Sequence, residues 1–258
     1  MSVPAQPSFD LTDRVCVVTG GGRGIGAAIS HMLAVSGAEV IVTGPSLDTL
    51  QPTVDEIVDA GGKAHALAAD VSQEAQVEQL AAQVKERFGV PHVLVNNAGV
   101  NGIFKPLETT TLDEWNEIIG VNLTGAFLTM RAFGSMMVSA RRGSIVNISS
   151  VAGHVGQPRT GAYCASKGGL ELLTRSVAID WAKKGVRVNT VAPGYVETDM
   201  TRSLRSIPVI ANHLKVRTPM GRFAQPDEIT GAVLFLASDA STYVTGQSIR
   251  VDGGWSAA

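Results

Sequence analysis

Cysteine is scarce in this 258-residue chain. Cys16 and Cys164 are the only two, too few for a disulfide framework, and no C-x-x-C or H-x-x-x-H spacing offers a zinc site. Long apolar runs are missing as well. No stretch approaches the ~18–20 residues needed to cross a bilayer, and the opening MSVPAQPSFDLTDR lacks the basic-then-apolar order of a signal peptide. Charge is sparse, 17% of residues, and balanced: 21 Lys and Arg against 23 Asp and Glu leave a net −2 with no basic run. A nucleic-acid binder needs a cationic stripe to neutralise phosphates, and none is present. What is plentiful is apolar residue, 45%, which suits a large core and not a disordered chain. The expectation is a cytoplasmic globular protein with no nucleic-acid or membrane partner.

Short apolar stretches alternate with helical patterns along the chain. Residues 14–19, 39–43, 64–68, 93–96, 144–148, 186–191 and 248–251 read as strands, several nearly continuous in apolar residues, as strands covered on both faces are. Residues 27–36, 47–60, 73–88, 112–138, 163–184 and 226–238 carry helical spacing. This alternation with short connections predicts an α/β fold, a doubly wound parallel, Rossmann-like sheet. No repeat, low-complexity tract or linker divides it, so residues 1–258 read as a single domain.

Thr19-Gly20-Gly21-Gly22-Arg23-Gly24-Ile25-Gly26 falls between the first strand and the first helix. There glycines make a tight turn, let backbone approach a pyrophosphate and allow close helix–strand packing. The helix amino terminus then offers free N–H groups to phosphate oxygens. Gly24 and Gly26 cost about 1 kcal/mol each at a helix start, which a chain without a ligand has little reason to keep. About 20 residues further on, where an acidic side chain would hold the adenosine ribose of NAD, Thr43-Gly44-Pro45-Ser46 contains no acid. Arg23 can reach the same region with a guanidinium suited to phosphate. The reading therefore leans to NADP over NAD.

Tyr163 and Lys167 are i, i+4 neighbours on one helix face. A nearby ammonium favours phenolate and should lower the tyrosine pKa from ~10, making Tyr163 a plausible general acid and base. Ser149 and Ser150 close the preceding strand, at the sheet edge where open α/β sheets bind ligands.

With these residues together, the chain resembles the short-chain dehydrogenases/reductases over about residues 10–256. The motifs are the Thr-Gly-x-x-x-Gly-x-Gly turn, Asn96-Asn97-Ala98-Gly99, Asn122, Ser150 ahead of Tyr163-x-x-x-Lys167, and Pro193-Gly194 with Thr198. The resemblance implies that Ser150 hydrogen-bonds the substrate oxygen and that Tyr163 gives or takes its proton. It implies that Lys167 also binds the nicotinamide ribose, and that Asn122 holds a water linking the lysine to solvent. Gly20, Arg23, Gly24, Ile25 and Gly26 would cradle the pyrophosphate. Asp70 and Val71 would flank the adenine, while Asn97, Ala98, Gly99, Pro193 and Gly194 would line the cofactor. Thr198 would hold the carboxamide. Some NADP-dependent relatives use the turn arginine with a Ser just past the second strand, here Arg23 and Ser46.

The expected function is hydride transfer between NAD(P)(H) and a secondary alcohol/ketone pair, a polyol or small hydroxy/keto compound. Residues 195–222, which hold Met200, Leu204 and Ile207 to Ile210 alongside Arg202 and Arg205, should form a substrate lid. A 3-oxoacyl thioester reductase shares every motif, and would need a basic patch near the pocket to dock its carrier. A non-catalytic dinucleotide-binding scaffold is the rival of another class, against which stand all four catalytic positions. The loop that carries His154 should border the substrate, which makes His154 a candidate contact. The 112–138 and Tyr163 helices carry more large apolar residues than one buried stripe needs, predicting a homotetramer. The carboxy-terminal strand and Trp255 are the candidate second interface.

Overall fold

The computed structural model describes residues 8–102 and 104–257. β1 (Val15–Thr19) leads into α1 (Gly24–Val35), β2 (Glu39–Gly44) into α2 (Leu47–Asp59), and β3 (Lys63–Ala68) into α3 (Glu74–Phe88). β4 (Val93–Asn96) is followed by α4 (Leu112–Ile119) and α5 (Gly125–Ala140), and β5 (Gly143–Ile148) by α6 (Gly161–Ala182). After β6 (Val186–Pro193) come α7 (Arg202–Arg205), α8 (Pro208–Arg217), α9 (Thr230–Ala237) and β7 (Ser248–Val251). The strands make one seven-stranded sheet in the order β3-β2-β1-β4-β5-β6-β7, every pairing parallel.

The apolar strands are explained by what covers them. Successive side chains point to opposite faces, and both faces are buried. Cys16, Val18, Val42, Val95 and Val146 pack under α1, α2 and α9 through Ile29, Leu33, Leu50, Ile57 and Leu236. Val17, Ile41, Leu94, Ile145 and Val188 pack under α3, α5 and α6 through Leu80, Val84, Phe133, Met137 and Leu170. Each such side chain stabilises the fold by about 1.5–3 kcal/mol. Burial also pushes the Cys16 thiol up to about 12, so it is inert core.

The helical segments differ from the sequence reading in several places, among them the new helices α7 and α8 within 195–222. The first helix begins at Gly24 rather than residue 27. Residues 226–229 form a 3-10 turn, and only Thr230–Ala237 is α-helical. The predicted 112–138 helix is interrupted by a π-helical turn at Gly120–Thr124. That wide turn carries Asn122, whose amide pairs with both backbone groups of Val100, an interaction invisible to hydrophobic periodicity. Among the described residues no helix is long and apolar enough to cross a membrane. The strand order reverses between β1 and β4, which opens a crevice outside their carboxyl ends.

Candidate active site

The glycine turn sits at one end of that crevice. Gly20 and Gly24 are left-handed, with φ of +60° and +54°. A Cβ on Gly22 would lie 2.1 Å from the Thr49 carbonyl oxygen, and one on Gly26 2.1 Å from that of Gly20. Asn97 donates its amide to the carbonyls of Thr19 (3.0 Å) and Gly20 (2.9 Å), so its side chain braces the turn. Ala98 and Gly99, partly exposed, border the crevice. Thr19, not singled out in the sequence, accepts the N–H groups of Asn97 and Ala98 on its hydroxyl, each at 3.0 Å.

The start of α1 fits an anion. No side chain caps it and its first turn holds no acid, which leaves the N–H groups of Gly24, Ile25 and Gly26 without intrahelical partners. Thr198 faces them, its methyl 3.2 Å from where a Cβ of Gly24 would stand. At the end of β2, Thr43 is buried with its hydroxyl unpartnered, and residues 43–46 contain no carboxylate. Ser46 begins α2 without using its hydroxyl as a cap, and Arg23 is exposed. Asp70 spends its carboxylate on Ser72, accepting from its N–H (2.9 Å) and hydroxyl (2.8 Å), while Val71 is buried against Gly125. This donor set suits a dinucleotide.

The four candidate catalytic residues converge at the other end. Ser150 follows β5, and its hydroxyl accepts the Ala152 N–H (3.1 Å) to start a single 3-10 turn, Val151–Gly153. Lys167, 4% exposed, donates to the Ile148 carbonyl at 2.8 Å and lies 5.8 Å from the Tyr163 ring centroid. Asn122 accepts from Val100 N–H (2.8 Å) and donates to Ser166 Oγ (3.1 Å). Gly99 makes room for both: a Cβ there would be 3.3 Å from Asn122 Oδ1 and 3.6 Å from Lys167 Nζ. Thr129, Asn96, Asn147 and Thr174 form a buried hydrogen-bond chain in that order, which lone polar residues on apolar elements did not announce.

The electrostatics correct one expectation. Burial raises the Tyr163 phenol above its ordinary range, opposed by the Ser150 hydroxyl beside it. Burial lowers Lys167 to about 8, opposed by Glu171. Desolvation, not the ammonium, therefore dominates at Tyr163, because the lysine donates to Ile148 instead of reaching the phenol.

Two further expectations change. His154 turns its Nε2 to Glu171 Oε1 (3.1 Å) and Ser248 Oγ (3.0 Å), into the protein and not towards substrate. Trp255 is 3% exposed and packs on Tyr195 (centroids 4.8 Å) and Leu214, so it anchors residues 195–222 within the protomer and cannot be an interface contact. Pro193 and Gly194 lie at the end of β6, where a Cβ on Gly194 would come within 2.8 Å of the Asp252 backbone. The segment after them folds as α7 and α8 and is tied down by Arg205, which donates to the Thr198 carbonyl at 3.2 Å.

A family model described as enoyl-(acyl carrier protein) reductase matches residues 20–256. The chain is 41% identical over 246 residues to the 3-oxoacyl-[acyl-carrier-protein] reductase of Synechocystis sp., covering 95% of this chain and 97% of the relative. It is 41% identical over 249 residues, 96% of each chain, to the galactitol 2-dehydrogenase (L-tagatose-forming) of Cereibacter sphaeroides. The crystal structure of a gluconate 5-dehydrogenase from Burkholderia cenocepacia, in complex with NADP and tartrate, superposes with a TM-score of 0.94 at 37% identity, covering 97% and 98%. The chain belongs to the short-chain dehydrogenase/reductase family, and is an oxidoreductase moving hydride between NAD(P)(H) and an alcohol/carbonyl pair.

Proposed function

We propose that the chain interconverts a secondary alcohol and its ketone in a polyol or small hydroxy acid, with NADP(H) preferred over NAD(H). The observation that carries this is the meeting of Ser150, Tyr163 and Lys167 at the sheet edge opposite the glycine turn. Bound along the turn, the nicotinamide cofactor supplies or accepts the hydride. The chain's own residues handle the proton. In reduction Ser150 donates a hydrogen bond to the carbonyl oxygen and Tyr163 gives that oxygen its phenolic proton. In oxidation Tyr163 takes the hydroxyl proton back. Lys167 would hold the nicotinamide ribose, and Asn122 a water behind it. Arg23 and Ser46 hold the 2′-phosphate, Thr198 the carboxamide, and Asp70 and Val71 border the adenine.

A polar substrate is supported by the polar side chains beside Tyr163, among them Asn101, Arg159 and Thr160. Residues 195–222 close over it as the lid. The second reading, a 3-oxoacyl thioester reductase, has a 41% identical relative in its favour. It is the weaker because Arg202 and Arg205 are paired with Asp199 and Glu197, and Arg222 with Glu228. Those ion pairs neutralise the basic patch that an acidic carrier would need. The protein works in the cytoplasm as a homotetramer, supported by its free cysteines and by exposed apolar residues on α5 and α6. The test is NADPH and NADH oxidation against ketoses, keto acids and 3-oxoacyl thioesters. Turnover confined to thioesters overturns the polyol reading, and tight cofactor binding with no turnover points to the scaffold.

A further inference from the structure

Glu171 is 3% exposed and lies one helical turn after Lys167 on α6. Three donors converge on its carboxylate, one from each element packed against it. Thr190 of β6 donates to Oε2 at 2.9 Å, Ser248 of β7 donates to Oε1 at 3.1 Å, and His154 donates its Nε2–H to Oε1 at 3.1 Å. Thr190 and Ser248 are register partners on adjacent parallel strands, so their hydroxyls stand side by side. His154 ends the 3-10 turn that Ser150 begins. The carboxylate is thus attached to the helix that carries Tyr163 and Lys167, to the turn that carries Ser150, and to the last two strands of the sheet.

We propose that Glu171 is a positioning residue for the reaction: its charge keeps Lys167 protonated in the working pH range, and its bond to His154 fixes the Ser150 turn against α6. The inference rests on the reading of Lys167 and Ser150 given above. Glu171 follows Lys167 by one turn of the same helix, their charged ends bonded to different partners, and a buried anion at that spacing stabilises the ammonium through the low-dielectric interior. The other charged groups on the packed elements are engaged elsewhere. Arg187 of β6 is bonded to Leu236, Ser238 and Ser241, and Arg250 of β7 to Ser256. His154, from the Ser150 turn, and Lys167, one turn back on α6, are the titratable groups left beside the cluster. The arrangement also explains why His154 faces inward.

The experiment measures NADPH affinity by fluorescence across pH, with kcat and KM for one turned-over ketone. In the wild type, affinity falls as pH rises through the Lys167 deprotonation, because the ammonium that binds the ribose is lost. Glu171→Gln keeps the shape and an oxygen that can accept from Ser248 and His154 but removes the charge, and should move that fall to lower pH by about one unit and cut kcat about tenfold. His154→Leu should lower kcat with the fall unmoved, and His154→Gln, which retains a donor, should recover most of it. If Glu171→Gln does not fold, the apolar quadruple Glu171→Met, His154→Leu, Thr190→Val, Ser248→Ala removes the charge and its donors together, a replacement buried ion clusters often tolerate. The same shift is expected there. An unmoved pH profile in whichever of the two folds overturns the proposal, even if thermal stability drops. Lys167→Met serves as the control: if it leaves affinity and turnover intact, the catalytic reading itself has failed; if it harms both while Glu171→Gln is silent, only this inference has.

Discussion

Tyr163 and Lys167 share a helix face, but burial pushes their pKa values in opposite directions, the phenol up and the ammonium down to about 8. That has a measurable consequence for stability. A lysine whose pKa is lower folded than unfolded binds fewer protons in the native state, so its burial is a penalty below about pH 8 that is relieved as pH rises towards its ordinary 10.5. The wild-type free energy of unfolding should therefore rise between about pH 8 and 10.5 relative to Lys167→Met, measured by urea titration; parallel curves would show that the lysine is not desolvated. Tyr163→Phe removes the proton donor and little else. We expect kcat to fall roughly 10²–10⁴-fold, the usual worth of general acid–base catalysis, with NADPH affinity within a few fold. Retained turnover would sink the assignment. Arg23→Ala tests the cofactor lean: a charge-assisted bond is worth about 1.5–3 kcal/mol, so the NADPH preference in kcat/KM should drop tenfold or more. An initial preference for NADH would reverse the reading of Gly44.

At the scale of elements, the sequence legibly marks those whose pattern is local. β1, β4 and β5 are apolar runs that end in a glycine turn, an asparagine pair and a serine pair, and the site residues stand at those ends. The π-turn at Gly120–Thr124 was not legible, because its Asn122 meets Val100 from 22 residues away. The inward turn of His154 depends on Glu171 and Ser248, which lie 17 and 94 residues away. Glycines show the same division between local rule and tertiary contact. Within a helix, Gly→Ala ordinarily gains up to about 1 kcal/mol. At Gly26, in the first turn of α1, the new Cβ would sit 2.1 Å from the Gly20 carbonyl oxygen and 2.5 Å from Asn97 Nδ2. Overpacking at about 1–3 kcal/mol outweighs the propensity gain. Gly26→Ala should thus lower the denaturation midpoint and weaken NADPH binding together, whereas Gly231→Ala on α9, where a Cβ meets nothing within 4 Å, should leave both near wild type or raise stability.

The whole molecule buries most of the apolar surplus that the sequence displays. Met130, Phe133 and Met137 of α5 and Leu170 of α6 belong to the core beneath the sheet, which helical spacing alone could not separate from a second apolar face. What stays outside is narrower: Phe127 on α5, with Leu172 and Ile179 on α6. In the proposed tetramer these exposed apolar side chains of α5 and α6 are the patch that a two-fold axis covers. Trp255 is excluded from the second interface by its packing on Tyr195 and Leu214. That leaves β7, the edge of the sheet, with the fully exposed Tyr243 just before it. A parallel edge with unpaired backbone groups is a surface that proteins cover. Two independent isologous contacts generate a tetramer with dihedral symmetry, so light scattering at micromolar concentration should give four times the 26.9 kDa chain mass. Phe127→Glu with Leu172→Glu should reduce that mass by half while leaving the far-UV spectrum unchanged, since neither side chain touches the core. Tyr243→Ala should leave the helix-paired dimer intact. A wild-type chain that runs as a stable monomer would require the exposed residues of α5 and α6 to face water alone, and the assembly would then have to be abandoned.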